Sequence, residues 1–79
     1  MTTLHRARNW KIQVFGREHG IPHFHVWTPD AAAVVAIETL AVLSGSVDAK
    51  VLEEATSWAA EHRVELTAEW CRLNPEKSQ

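Results

Sequence analysis

The feature that most limits what this chain can become is its last third. From about Asp48 to Leu73, the residues Val51, Ala55, Trp58, Ala59, His62, Leu66, Trp70 and Leu73 recur at three- and four-residue spacings, the period of one face of an α-helix. Ser46 or Asp48 can cap its start, because either side chain accepts from the free amides of a first helical turn. Asn74-Pro75 stops it, since a proline turns its predecessor away from the helical region. The spacing predicts one long helix over 47–73 and a short polar tail at 74–79.

A helix with one apolar face must bury it against something, and the preceding residues read as a sheet. Trp10-Lys11-Ile12-Gln13-Val14-Phe15 alternates, with Trp10, Ile12 and Val14 on one side and Lys11, Gln13 and Phe15 on the other. Gly16 ends this strand, and Arg17 to Pro22 is a loop. His23-Phe24-His25-Val26-Trp27-Thr28 alternates again, placing Phe24 and Val26 on one face and His23, His25 and Trp27 on the opposite one. Pro29-Asp30 marks a turn. Ala31 to Ile37 reads as a third strand that Glu38 to Leu43 continues after a bend, although the alanines also permit a short helix. Ser44-Gly45-Ser46 breaks the pattern, and residues 1–8 read as a flexible arm. The expected architecture is α+β, a three-stranded antiparallel meander packed on one long C-terminal helix. It forms a single domain over 1–79 whose β-rich half spans 9–43.

A chain of 79 residues holds one core and no more, so a staple, a metal or a partner subunit is a reasonable thing to look for. Charge narrows the partners. Ten Asp and Glu outnumber eight Lys and Arg, for a formal net charge of -2, whereas domains that neutralise phosphates usually carry a basic surplus. Nucleic acid is therefore not the favoured partner. The cluster His5, Arg6, Arg8 and Lys11 reads first as a solvated N-terminal arm. Cys71 is the sole cysteine, so no intrachain disulfide can form. No apolar run approaches the ~20 residues of a membrane span, and Met1-Thr2-Thr3-Leu4-His5-Arg6 lacks the apolar core of a signal peptide. The chain reads as cytoplasmic, with no membrane partner.

The most site-like segment is Arg17-Glu18-His19-Gly20-Ile21-Pro22-His23-Phe24-His25-Val26. Strand parity puts His23 and His25 on one side, their Cβ atoms roughly 6.5–7 Å apart, with His19 returning over the loop. Neutral imidazoles suit zinc, copper, nickel or iron, so His19, His23 and His25 are candidate ligands for a divalent transition metal such as zinc. The HExxH, paired-CxxC and EF-hand patterns are absent, and a fourth ligand would have to come from Glu18, the helix, water or another subunit. Two other readings stand beside this one. The same face can be a plain half-exposed strand whose imidazoles stack on Trp27 and bond to carbonyls. It can also bind an anion, a nucleotide or a protein partner through Glu18, His19, His23, His25 and Trp27.

His62 and Glu65 form a secondary candidate. At a spacing of i,i+3 they share a helix face and suit a metal or an acid–base pair. A helix lying on the Phe24/Val26 face would, however, hold His62 away from His23 and His25. The four tryptophans are many for this length. Trp58 and Trp70 fit the helix stripe, while an exposed one of Trp10 and Trp27 would mark an interface. No serine stands in a nucleophile turn, there is no glycine-rich phosphate loop, and Cys71 sits near a helix C-terminus, where the dipole disfavours a thiolate.

The run from Val14 to Val26, with its Glu18-His19-x-x-Pro22-His23-Phe24-His25 core, resembles the signature of prokaryotic domain-of-unknown-function family 4160. Glu38-Thr39-Leu40, Gly45, Trp58, His62-Arg63, Glu65-Leu66 and Trp70 fall at similar relative positions, so the resemblance covers roughly residues 8 to 74. Gly20-Ile21 stands where many members have consecutive prolines, and the C-terminus lacks the basic tail of some members. The resemblance carries no established activity. It implies a small partner protein, because such genes often lie beside a second small domain of unknown function, number 2442, in an arrangement similar to a toxin–antitoxin pair. The leading expectation is an accessory or regulatory binding module that acts through the histidine-rich surface as a homo-oligomer or with a small partner. The alternative is a metal-dependent hydrolase or ribonuclease-like toxin, with His19, His23 and His25 as ligands and Glu18 or Glu65 as base.

Overall fold

The computed structural model describes residues 2–16 and 20–75. Five strands form one antiparallel sheet in chain order: β1 Thr2–Arg6, β2 Lys11–Val14, β3 His23–Trp27, β4 Ala32–Ala36 and β5 Val42–Ser46. Two helices follow, α1 Ala49–Glu61 and α2 Arg63–Leu73. The chain is α+β, but the expected three-stranded meander on one long helix is overturned on both counts.

The core forms where the sheet's apolar face meets the helix stripe. Ile12, Val14, Phe24, Val26 and Val35 pack against Val51, Ala55, Ala59, Leu66 and Trp70 in one buried cluster. Parity delivers this face, because Ile12 lies opposite Val26 and Phe24 opposite Val35 in the ladder. Each large side chain buried here contributes about 1.5–3 kcal/mol relative to exposure.

The two extra strands come from segments whose polarity hid them. Residues 2–6 are not a flexible arm. They pair with β2, Thr2 opposite Val14 and Arg6 opposite Lys11, with an irregularity between Thr3 and His5 that disturbs the alternation. Leu4 packs on the core. The Thr2 hydroxyl also donates to Glu69 on α2, which is paired with Arg72 one turn on, so β1 is clasped to the helix across the length of the sequence.

The second extra strand is β5. The chain turns at Ile37–Thr39, passes through Leu40 at φ 64°, and returns as β5 instead of continuing the third strand. Every residue of β5 is exposed, which is why Ser44-Gly45-Ser46 looked like a break: an open edge strand needs no apolar pattern. Gly45 is there for its backbone. At φ +73°, an added Cβ would lie 2.3 Å from the Ala32 carbonyl oxygen.

The helix breaks at His62 without a proline or glycine. The His62 N–H turns to the Ala59 carbonyl at 3.0 Å, one residue short of its regular partner, Trp58. The orphaned Trp58 carbonyl accepts instead from the His62 ring Nδ1 at 2.7 Å. The imidazole thus replaces its own backbone amide. At the other end of the helical pair, Asp48 caps α1 by accepting from the Lys50 N–H at 3.0 Å. Buried Asn74 closes α2, donating to the Trp70 carbonyl at 3.1 Å and to the Phe15 carbonyl at 3.0 Å.

Two predictions follow from these ties. Gly45→Ala is expected to destabilise the domain by at least about 1–2 kcal/mol, the ordinary cost of a left-handed alanine, measured by urea unfolding. The Arg72 guanidinium, and after it the Thr2 hydroxyl, holds the Glu69 carboxyl below its ordinary value of 4.5. A depressed carboxylate stabilises the fold above that ordinary value, and the contribution is lost as pH falls through the folded one. Glu69→Gln should therefore unfold at lower urea than the parent at pH 7, with the gap closing in acid below about pH 4.

Candidate functional site

The β2–β3 register, Gln13 opposite His25 and Lys11 opposite Trp27, sets the second face of the sheet. It carries Lys11, Gln13, Phe15, His25, Trp27 and Val34, while the helices send their buried residues to the other side. Gln13 is buried on this face and its side-chain amide donates to the Thr3 hydroxyl at 2.9 Å.

Three rings gather there with nearly parallel planes. The His25 imidazole stacks on Phe15 at 4.4 Å and 16°, and on Trp27 at 6.0 Å and 12°, with Phe15 and Trp27 6.4 Å apart. His23 meets His25 edge-on at 5.4 Å, the neighbouring position that the alternation predicted. His23 differs from its neighbour in one respect. It stands at the strand's start, where the end of α2 covers it, and its ring packs 4.7 Å from Trp70 of the core. It is consequently only 7% exposed. Its Nδ1 lies 2.8 Å from the Ile21 carbonyl oxygen. A carbonyl only accepts, so Nδ1 carries the hydrogen, and in the neutral ring Nε2 holds the lone pair.

Of the five residues singled out for binding, the structure therefore brings His23, His25 and Trp27 together. Glu18 and His19 lie outside the described residues. Among the described residues no group of three or more His, Cys, Asp or Glu side chains is placed to hold a metal ion.

The secondary candidate belongs to a different place. His62 stacks on Trp58 at 4.0 Å and 11°, Trp58 stacks on His5 at 4.8 Å, and His5 leans on Trp10 at 5.2 Å. His62 Nε2 lies 4.0 Å from Glu65 Oε1. Among the described residues no ring contact joins this column to His23 or His25, as the helix placement required. The bond from His62 Nδ1 to the Trp58 carbonyl makes the residue a helix-joint cap first. His62→Ala should cost about 0.5–1.5 kcal/mol in chemical denaturation by stranding that carbonyl.

Phe15, Trp70 and Asn74 were not singled out from the sequence as site residues. Phe15 shares parity with Lys11 and Gln13, but its contact with His25 depends on a cross-strand register that periodicity does not supply. Trp70 and Asn74 reach the site only because α2 ends over the tip of β2, where an added Cβ on Gly16 would lie 3.1 Å from the Leu73 carbonyl oxygen.

No curated protein and no solved structure matches the chain. A family model does, described as Domain of unknown function (DUF4160), over residues 9–71. That span holds β2 to β5, α1, most of α2 and the whole ring cluster, and the chain belongs to this family.

Proposed function

We propose that the protein is a small binding module of the accessory or regulatory kind, and that it works by docking a protein surface on the histidine-bearing face of its sheet. A second copy of the chain is the occupant this reading commits to. The toxin–antitoxin-like gene arrangement implied by the family resemblance would set such a module beside a small partner.

The observation that carries the reading is the cluster Phe15–His25–Trp27 on the sheet face opposite the main core. These rings are half-buried by one another, so a partner gains their remaining apolar area without having to order them first. Aromatic anchors of this kind dominate interface energies. One further feature supports it: the β5 edge beside the face leaves Val42 and Leu43 exposed.

Size-exclusion chromatography with light scattering tests this. The parent should run as a dimer or larger, and His25→Ala and Trp27→Ala should each shift it toward monomer while circular dichroism stays unchanged. A strict monomer, or an oligomer indifferent to both substitutions, would sink the proposal.

A further inference from the structure

The β1–β2 and β3–β4 turns lie side by side at one end of the sheet, because β2 and β3 run antiparallel and Lys11 stands opposite Trp27. The first turn is closed by the Ala7 N–H donating to the Trp10 carbonyl at 2.8 Å, the second by the Thr28 N–H donating to the Ala31 carbonyl at 2.9 Å. Between them is a cleft of about 330 Å³ whose walls include Arg6, Arg8, Lys11, Asn9 and Trp27. Three of the chain's eight Lys and Arg meet there, and no carboxylate among the described residues lines it. Asp30, at the tip of the second turn, is exposed and is not part of the wall.

None of these three cations makes an ion pair or a side-chain hydrogen bond among the described residues. They have no direct counter-ion among the described residues, in a protein whose net charge is negative. The contrast with the neighbouring cleft of about 780 Å³ against α1 is instructive, because that one mixes Arg8 and Lys50 with Asp48, Glu53 and Glu54 and selects no sign. In the smaller cleft every charged wall group among the described residues is a donor. Trp27 adds an aromatic wall.

We infer that this cleft is a binding site for a nucleotide, with its phosphate held by Arg6, Arg8 and Lys11 and its base against Trp27. The volume lies at the lower end of small-ligand pockets, which suits one nucleotide and not a long strand. Guanidinium groups match phosphate oxygens in pairs, and an indole face takes any base. A free mononucleotide and one residue of a single strand present the same chemistry. The site shares Trp27 with the docking face but rests on Arg6, at the end of β1, and Arg8, in the turn after it, neither of them in the ring cluster, so it stands or falls separately from that reading.

Isothermal titration of the full chain with AMP, with a short single-stranded RNA and with inorganic phosphate tests it. Saturable binding of AMP or of the RNA is expected, tighter than that of inorganic phosphate. AMP binding assigns the site to free nucleotides, and RNA binding without AMP binding assigns it to a strand. Arg6→Gln and Arg8→Gln should each weaken the complex about tenfold, whereas Lys50→Gln, on α1 outside the cleft, should leave it unchanged. For three phosphate contacts on a strand, affinity should fall with a log–log salt slope of about 2. Trp27→Phe should retain more binding than Trp27→Ala. The inference is overturned if neither AMP nor RNA saturates, if inorganic phosphate matches AMP, or if the two arginine substitutions have no more effect than Lys50→Gln.

Discussion

The structure depends on one contact: the apolar side of a five-stranded sheet lying against the stripe Val51, Ala55, Ala59, Leu66 and Trp70. Two of those five helical residues are alanines, and Leu66 and Trp70 supply the bulk on α2. A domain of this size has little stability to spare. Its remaining features can be understood as ways of keeping that single contact complete.

The kink at His62 is one of these. A straight helix drifts relative to a twisted sheet, and the buried positions on α1, at Val51, Ala55 and Ala59, step by four and rotate steadily around the axis. Breaking the helix resets the stripe before Leu66. The imidazole makes the break affordable by taking over the Trp58 carbonyl and stacking on that residue's indole. At the helix's far end Asn74 performs a related task, binding the last turn of α2 to the Phe15 carbonyl. Phe15 itself turns outward to His25. The core and the ring cluster are thus linked by a single strand end, with Trp70 touching His23 from the core side.

The helices fill one face, and on the other the described residues leave Phe15, His25 and Trp27 half-buried. The face divides naturally. Toward the Gly16 and Pro22 end it carries imidazoles and Phe15, which suit a protein surface. Toward the Arg8 and Pro29 turns it becomes cationic, which suits a phosphate. Trp27 stands between the two.

The sequence alone determined whatever depends on local period. The alternation of β2 and β3, the separation of Phe24 and Val26 from His25 and Trp27, a helix cap at Ser46 or Asp48 and the stop at Asn74 all follow from repeats of two or 3.6 residues and from cap chemistry within a few positions. The run from Val14 to Val26 carried a resemblance to a family whose model matches residues 9–71. Tertiary structure alone decided the rest. Thr2–Arg6 is a strand because Val14, Gln13 and Lys11 lie across from it and Glu69 clasps it, and nothing in its own polar residues announces that. Val42–Ser46 is a strand because an edge needs backbone pairing and no apolar pattern. The helix breaks at a histidine whose role exists only once Trp58 is one turn beneath it. Arg6, Arg8 and Lys11, which read as a loose basic arm, converge on Trp27 because two turns far apart in sequence are brought together by the pairing of β2 and β3. Register and long-range pairing are properties of the assembled sheet, and a periodicity read along one strand does not contain them.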